Sequence, residues 1–312
     1  MSRRRATLFR ATKVARRWRR SGAPLGLRSQ LQRARRRATP LYDDSVSSSP
    51  RVPVVAGHRR ATYRRALWLL TKRDLAVRYS TSALGYLWSI IDPLAMAFMY
   101  WFVFGVIFQR PVGEEPYIVF LLTGLLPWMW FNGAVSDSTR AFLRESKLIR
   151  STRIPRSIWV SRLVLSKGIE FVASIPVLAA FAIFSGAIVH WEALLAPIGI
   201  VIQAVLTLGV GLIVAPLVVL FRDLERAVTL VLRVLFYATP IVHGLPDLKA
   251  IGLEGIAEFN PLAGIISLYR SAFFPEHLDW TAVGVSATLS VILLLIGILV
   301  MRRCERAVLK EL

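Results

Sequence analysis

The stretch KRDLAVRYSTSALGYLWSIIDP, from Lys72 to Pro93, decides the organisation of this chain. Its first seven residues carry four charges, the next thirteen carry none, and then Asp92 and Pro93 stand together. A proline has no N–H and leaves a carbonyl of the preceding turn without its helical partner, so we expect a kink there. Because a charge inside a membrane is costly, Asp92 is expected to face protein or water instead of lipid. The pattern indicates a basic segment, a bend and the start of a membrane span.

Charge divides the chain into two unlike regions. The 312 residues are 55% hydrophobic and carry a formal net charge of +21. Residues 1–65 contain nineteen Lys and Arg and two acids, whereas the rest is nearly neutral and strongly apolar. This division argues against a nucleic-acid-binding protein in spite of the basic total. We predict a basic disordered cytoplasmic tail (1–57), an interfacial amphipathic helix (58–83), a transmembrane domain (84–305) and a cytoplasmic C-terminus (306–312).

Six apolar segments are long enough to cross the roughly 30 Å hydrocarbon core of a membrane as helices. They are residues 84–108, 116–136, 168–184, 193–221, 227–243 and 280–301. The fifth is short and carries Arg233. The sequence therefore predicts an all-α integral membrane protein with six transmembrane helices.

Basic residues between these segments set the expected orientation. Residues 140–167 contain eight basic residues and one acid, whereas residues 185–192 contain no Lys or Arg. Cytoplasmic loops of membrane proteins carry an excess of Lys and Arg. We therefore predict a multi-pass protein with both termini in the cytoplasm.

The segment 244–279 is unusual for an outer loop. It contains two apolar stretches, 248–257 and 262–274, that are too short to span and are separated by Asn260 and Pro261. Segments of this length fit re-entrant or interfacial helices. We predict two short re-entrant outer helices between the fifth and sixth spans, with Arg270 as an intramembrane polar residue that anchors an outer gate. An amphipathic outer loop is the alternative.

Basic residues also precede the first span. They alternate with apolar runs, as in a helix that lies in the membrane interface and meets anionic lipids. The same cations suit the phosphates of an anionic lipid substrate. A helix that only anchors the first span is the alternative. The residues predicted to meet phosphate are Arg64, Arg65, Lys72, Arg73 and Arg78.

Six short motifs follow one another along the chain. They are the Lys72–Pro93 stretch, Gly124-x-x-Pro127-Trp128, Lys147-Leu-Ile-Arg150 with Ile154-Pro155, Phe221-Arg222-Asp223, Thr239-Pro240-Ile241, and Asn260-Pro261-Leu262 with Tyr269-Arg270. Over about residues 60–305 this order resembles the membrane subunits, or permeases, of ABC-2-type exporters of lipid-linked polysaccharides such as O-antigen and teichoic acid. In its arginine and alanine richness the chain looks most like the actinobacterial relative that exports cell-wall galactan.

The resemblance implies a homodimer of this chain in a bacterial inner membrane, with two copies of an ATP-binding subunit. No G-x-x-x-x-G-K-[ST] motif occurs here, so ATP and Mg²⁺ are expected in that partner and no cofactor in this chain. The short basic segment 145–155 is the natural contact with the ATPase, and a plain positively charged loop is the alternative. The residues predicted to couple to the ATPase are Lys147, Leu148, Ile149, Arg150 and Arg153.

Aromatic residues suggest how a glycan would pass. Aromatic rings offer broad apolar faces on which the C–H faces of sugars stack, and Tyr and Trp add a polar group. In an α-helical first span, several rings fall on one face. The aromatic belt of a membrane interface is the alternative. The predicted lining residues are Tyr100, Trp101, Phe104, Phe108, Trp128 and Trp130.

Other classes of protein fit less well. No histidine stands at a ligand spacing from another histidine or from Cys304, so we predict no catalytic residue and no metal site. A membrane-embedded glycosyl- or phosphotransferase would need clustered acids, and the adjacent pair Asp43 and Asp44 lies in the basic tail. An ABC-2 exporter of a small lipid or drug remains the nearer alternative. The sequence therefore favours a transport subunit over an enzyme.

Overall fold

The computed structural model describes residues 56–80, 87–107, 114–151, 154–244, 252 and 259–311, and the regular elements in these ranges are helices. Residues 1–55 of the predicted tail lie outside them, and its last two residues belong to the first helix. In chain order the α-helices are α1 (Ala56–Ser80), α2 (Trp88–Tyr100), α3 (Tyr117–Thr139), α4 (Ala141–Arg144), α5 (Ser146–Ser151), α6 (Ile158–Phe184), α7 (Ala196–Leu220), α8 (Leu224–Ala238), α9 (Ala263–Arg270) and α10 (Trp280–Glu311).

Four helical segments in the described ranges are long and apolar enough to cross a membrane. They are Tyr117–Thr139, Ile158–Phe184, Trp191–Leu220 and Trp280–Glu311. These helices confirm the predicted second, third, fourth and sixth segments as long apolar helices. Two of them are longer than predicted, since α6 begins at Ile158 and α10 continues to Glu311. The helical class predicted from the sequence is thus confirmed at this coarser level.

Helix α3 lies at the centre of the bundle and packs on α6 and α7. Its interior proline, Pro127, has its carbonyl bonded by the side-chain amide of Gln203, with a nitrogen–oxygen distance of 2.7 Å. The Tyr269 hydroxyl donates in turn to Gln203 at 2.9 Å. These buried polar bonds join three helices in surroundings where an unpaired polar group would be costly.

Helices α7 and α10 form the most extensive helix pairing of the described chain. At their crossing, a Cβ atom added to Gly297 would lie 2.5 Å from the carbonyl oxygen of Gly209. Only glycine permits so close an approach of two backbones, as at other helix crossings in membranes. Larger residues at these positions would separate α7 from α10.

Helix α1 lies against α6 through one of its faces. Its buried face carries apolar side chains, and the Tyr63 hydroxyl lies 3.3 Å from the Ser161 hydroxyl of α6. The opposite face is exposed and mixes cations with Trp68 and Leu69. A surface that joins basic and apolar side chains in this way suits the headgroup region of a membrane.

Helix α2 continues through Asp92 and Pro93 without a break, and the change of helical type comes later. Residues Trp101–Ile107 form a π-helix directly after α2. A π-helix closes its hydrogen bonds from residue i to i+5, so its side chains do not follow α-helical spacing. The kink expected at Pro93 stays a prediction, and the change from α- to π-helix after Tyr100 is a separate irregularity.

Candidate functional site

A cavity of about 470 Å³ lies between α2, α3 and α8. Helix α3 contributes Trp128, Asn132 and Ser136, which recur every four residues and so share a face. The remaining lining residues are Met96 and Tyr100 of α2 and Thr229, Leu232, Arg233, Phe236 and Tyr237 of α8. The wall thus combines aromatic rings with an amide, hydroxyls and a guanidinium.

Phe236 is the centre of the aromatic part of this wall. Its ring centroid lies 6.0 Å from that of Tyr100, 5.4 Å from that of Trp128 and 5.2 Å from that of Tyr237. The rings meet in tilted or edge-to-face arrangements, which favour attraction between aromatic groups. Four packed rings form a firm apolar surface, and Asn132 and Ser136 provide hydrogen-bonding groups on the face that carries Trp128.

Asp92 lies on the same stripe of α2 as two lining residues of the cavity. Asp92, Met96 and Tyr100 are each four residues apart in one α-helix, and the Asp92 side chain is exposed. Its orientation toward protein or water in the assembled protein stays a prediction. Asp92 therefore lies one turn before Met96, on the same face of α2 that lines the cavity.

The other aromatic residues predicted to line a path do not share one surface in the structure. Trp101 begins the π-helix and lies beside Phe98, with ring centroids 5.7 Å apart. Because the predicted face assumed α-helical spacing throughout, it does not extend beyond Tyr100. The side chain of Phe104 and the whole of Phe108 lie outside the described residues.

Trp130 points away from the cavity that Trp128 lines. Its indole N–H donates to the Val164 carbonyl at 3.0 Å, and its ring stacks on Phe171 at 5.3 Å. It is buried between α3 and α6, where it joins two helices. Of the six predicted rings, the structure therefore brings Tyr100 and Trp128 together at the cavity.

Arg270, predicted in a short outer helix, is the last residue of α9 and is only 2% exposed. Its guanidinium donates to the carbonyls of Ile241 at 3.0 Å, His243 at 3.3 Å and Phe120 at 3.5 Å. The guanidinium carbon also lies 3.7 Å from the centre of the Phe120 ring. Arg270 thus holds the start of α3 and the segment after α8 against α9.

Asn260 fixes the same segment from a second point. Its side-chain amide donates to the Ala238 carbonyl at 3.2 Å and to the Thr239 hydroxyl at 2.9 Å. Its side-chain oxygen accepts from the backbone N–H of Leu262, close to the start of α9. The second predicted outer segment thus contains a short, buried helix, whereas the first, 248–257, lies outside the described residues apart from Gly252.

At the opposite end of the bundle, Arg162 joins α1 to the segment before α5. Its side chain is 4% exposed and donates to both carboxylate oxygens of Asp74, at 2.6 and 2.7 Å, and to Glu145 at 3.3 Å. Arg73 pairs with the same two acids. Burial raises the pKa of the Asp74 carboxyl, and the neighbouring Arg162 and Arg73 oppose that change. Two arginines and two acids therefore share one partly buried cluster.

A second group of charges lies around Arg78. Its guanidinium pairs with Glu170 of α6 at 2.9 Å and with Asp137 of α3 at 3.0 Å. Lys167 also pairs with Glu170, at 2.8 Å, as its spacing predicts. The last turns of α1 are thus connected by charge to both of the helices beside them.

The five cations predicted to meet phosphate fall into two groups. Arg73 and Arg78 are engaged in the ion pairs just described. Arg64, Arg65 and Lys72 lie on the exposed face of α1, beside Trp68, and form no ion pair within the described ranges. The cations of the second group are therefore the accessible ones on the surface of α1.

The segment predicted to contact an ATPase contains the short helix α5. Lys147 and Arg150 are exposed, Leu148 is half-buried, and Ile149 is 0% exposed. Ile149 therefore anchors α5 in the core, and the two cations form its accessible surface. Arg153 lies outside the described residues.

Sequence reasoning missed several residues of these sites. Arg162 counted as a loop cation, because the third span was expected to begin at residue 168. Phe236 and Tyr237 were not singled out because apolar residues on a short helix do not reveal which face meets a cavity. The signal available for Arg162 was a single cation inside an otherwise apolar run that begins at Ile158.

Comparison with known proteins defines the class. The family model described as ABC-2 type transporter matches residues 65–274, which is well over half of the chain. The chain belongs to the ABC-2 type transporter family. The matched region contains α2 to α9 and the cavity residues described above.

Individual relatives are named as permeases or transport proteins for polysaccharides. The O-antigen export system permease protein RfbA of Klebsiella pneumoniae is 34% identical over 243 residues, which cover 77% of this chain and 92% of that protein. The protein of the same name from Myxococcus xanthus is 30% identical, with coverage of 74% and 89%. The polysialic acid transport protein KpsM of Escherichia coli is 25% identical, with coverage of 76% and 92%. The chain is thus similar to these proteins over nearly their whole length.

Proposed function

We propose that this chain is the membrane subunit of an ATP-driven exporter that moves a lipid-linked polysaccharide from the cytoplasmic to the outer side of a bacterial cell membrane. Membership of the ABC-2 family supports transport, and the named functions of the relatives support polysaccharide as cargo. The galactan of an actinobacterial cell wall is the polymer that its composition favours. The chain acts as a transport subunit without catalytic residues of its own.

The cavity between α2, α3 and α8 is the observation that carries this proposal. A polymer that moves needs contacts that are weak at each position and repeat along the path. The rings around Phe236 supply stacking surfaces, and Asn132 and Ser136 supply groups for sugar hydroxyls. A wall of this composition accepts one sugar after another without holding any of them tightly.

The same cavity supports a homodimer. It lies between α2 and α8, whose flanking surfaces expose large apolar side chains such as Phe98, Phe102, Val231 and Val234. A second copy placed there would cover those side chains and close the open side of the cavity. The path would then be lined by α2, α3 and α8 of both copies, with Asp92 at its cytoplasmic end.

The proposed topology has six crossings with both termini in the cytoplasm. Beyond the four long helices, α2 with its π-helical extension covers Trp88–Ile107, and α8 covers Leu224–Ala238. The chain between α8 and α10 supplies the two short re-entrant outer helices, of which α9 is the second. The basic loops give the orientation by the positive-inside rule.

The lipid-linked end of the substrate is proposed to meet α1 first. Arg64, Arg65 and Lys72 are exposed on one face of that helix, and a phosphate favours such cations. Trp68 and Leu69 on the same face lie at the level of anionic membrane lipids. Arg73 and Arg78 would bind the phosphate only by giving up a carboxylate partner.

ATP-driven movement is proposed to reach the chain at α5. Two copies of a partner subunit bind ATP and Mg²⁺, and the exposed Lys147 and Arg150 meet that partner. Because Glu145 directly precedes α5 and pairs with Arg73 and Arg162, a push on α5 moves α1 and α6 with it. This route connects the ATPase to the helix that receives the lipid.

Depletion of the chain from living cells tests the proposed function. The measurement is mass analysis of lipid-linked glycans on the two faces of the cell membrane. We expect full-length polymer to accumulate on the cytoplasmic face and to decline outside. Normal export of polymer in depleted cells would contradict the proposal.

The same experiment separates the alternative classes. A glycosyl- or phosphotransferase would leave a polymer that lacks one linkage, with no intact glycan accumulating. An exporter of a small lipid or drug would leave the polymer unchanged and raise the cellular content of that smaller compound. Complementation of the depleted cells with the Trp128→Leu variant, which alters the cavity wall, tests whether the polysaccharide passes through this cavity.

A further inference from the structure

The side chains of Glu114, Glu276 and His277 meet near the beginnings of α3 and α10. Glu114 precedes α3, and the other two lie in the short 3₁₀ helix Pro275–His277 before α10. One ligand atom from each residue lies within 4.8 Å of the other two. The fold thus brings the adjacent residues Glu276 and His277 to Glu114, which is far from them in the sequence.

His277 is held in a fixed orientation within this cluster. It is 5% exposed, and its ring packs edge-to-face on Phe120 at 5.4 Å and on Phe274 at 6.2 Å. Its Nε2 atom lies 2.8 Å from a carboxylate oxygen of Glu114. Two ligands of one zinc ion, each about 2.0–2.1 Å from the metal, lie roughly 3 Å apart.

The two carboxylates complete the arrangement. Glu114 is 40% exposed at its side chain and Glu276 is exposed, so an ion can reach them from solvent. Two carboxylates this close repel each other when both are charged, and a bound cation removes that repulsion.

We propose that Glu114, Glu276 and His277 form a binding site for a divalent transition-metal ion, with Zn²⁺ as the best match. One imidazole nitrogen and two carboxylates suit zinc more closely than Mg²⁺ or Ca²⁺, which prefer oxygen ligands alone. Three protein ligands leave one position for water. The ion fastens the start of α3 to the turn before α10.

The site is independent of the substrate proposed above. It rests on the proposed topology only for the side of the membrane from which the ion is taken, namely the outer side. Its ligands precede α3 and α10, and none of them lines the aromatic cavity. Metal binding and glycan export are therefore tested separately.

Calorimetric titration of Zn²⁺ into the purified full chain in lipid nanodiscs tests the site. The protein carries no histidine tag, is stripped with a chelator, and contains Cys304→Ser so that the single thiol cannot bind zinc. We expect one Zn²⁺ per chain, an increase in the unfolding temperature with zinc, and much weaker responses to Ca²⁺ and Mg²⁺. Absence of saturable Zn²⁺ binding would overturn the site.

Matched variants identify the ligands. Glu276→Gln and Glu114→Gln should each weaken Zn²⁺ binding by at least about tenfold, because each removes one of three ligands. Glu115→Gln makes the same change one residue away and should bind zinc as the parent does. Equal affinity in all three would overturn the assignment. His277→Gln is a further test, and Glu276→Gln, an exposed position, stays informative if that buried variant does not fold.

Discussion

The two ends of the helical bundle are held together by different chemistry. At the end near α1 and α5, arginines pair with acids that are shared, so that Arg73 and Arg162 both contact Glu145. At the other end, Arg270 binds three backbone carbonyls and the Phe120 ring. A side-chain ion pair can exchange partners when helices shift, whereas backbone carbonyls have fixed positions. The first end is therefore suited to movement and the second to rigidity.

The largest expected effect comes from removing the arginine of the rigid end. Arg270→Leu leaves buried carbonyls without their donor, and each such group costs about 1–3 kcal/mol. We expect the free energy of unfolding to fall by about 3–5 kcal/mol, measured by denaturation of the purified protein in detergent. Arg302→Leu, at an exposed position of α10, is the matched control and should change stability little. If the two variants are equally stable, Arg270 does not hold α3 and the segment after α8 against α9.

The next largest expected effect comes from the charge cluster at the end of the bundle near α1 and α5. Arg162→Met removes a buried cation while Arg73 stays beside both acids, so the expected loss is smaller, about 1–3 kcal/mol. ATP hydrolysis by the assembled exporter should continue while glycan export falls, because α6 loses its ion pairs with α1 and with the segment before α5. Export and hydrolysis are measured together in proteoliposomes. Arg144→Met, which breaks a more exposed pair with Asp137, should leave both rates close to those of the parent. If Arg162→Met exports as much glycan for each ATP hydrolysed as the parent does, the charge cluster has no part in coupling the two processes.

Substitutions of Trp128 and Trp130 test which side of α3 the proposed glycan path follows. Trp130→Phe removes one hydrogen bond to the Val164 carbonyl and should cost about 1 kcal/mol of stability with export retained. Trp128→Leu removes a buried ring from the cavity wall, so it should cost about 1–3 kcal/mol of stability and lower export severalfold. Thermal unfolding and export are compared for both proteins. The reverse outcome would place the path on the Trp130 side of α3.

The smallest expected effect on stability is that of Asp92→Leu. The residue is exposed in one chain, so the protein should insert and fold normally. Export should nevertheless fall, because the substitution places an apolar group at the Asp92 end of the cavity face of α2. Asp92→Asn keeps the size and hydrogen-bonding capacity and should retain part of the export. Full export by Asp92→Leu would show that the carboxylate has no part in transport.

The sequence predicted the helical class and the family because both depend on local signals. Apolar runs of membrane length mark α3, α6, α7 and α10, and short motifs in order carry the resemblance. The burial of Arg270 was only partly foreseen, since its place near an apolar stretch was visible but its carbonyl partners were not. Those partners come from segments that the linear sequence does not bring together.

The remaining features depend on contacts between distant residues. His277 and Glu114 are separated by 163 positions, so ligand spacing along the chain could not reveal their meeting. The register of the π-helix after Tyr100 was equally invisible, because α-helical spacing is the natural assumption for an apolar run. Trp130 was grouped with Trp128 by closeness in sequence, although two residues on a helix point in widely different directions.

The contacts of Arg270 also have a consequence for the order of assembly. All three of its carbonyl acceptors, in Phe120, Ile241 and His243, are synthesised before it, so the segments that bear them reach the membrane first. Those segments meet through Arg270 only after its own part of the chain has emerged. Arrival of this one cation therefore joins the start of α3 and the segment after α8 to α9, before α10 is synthesised.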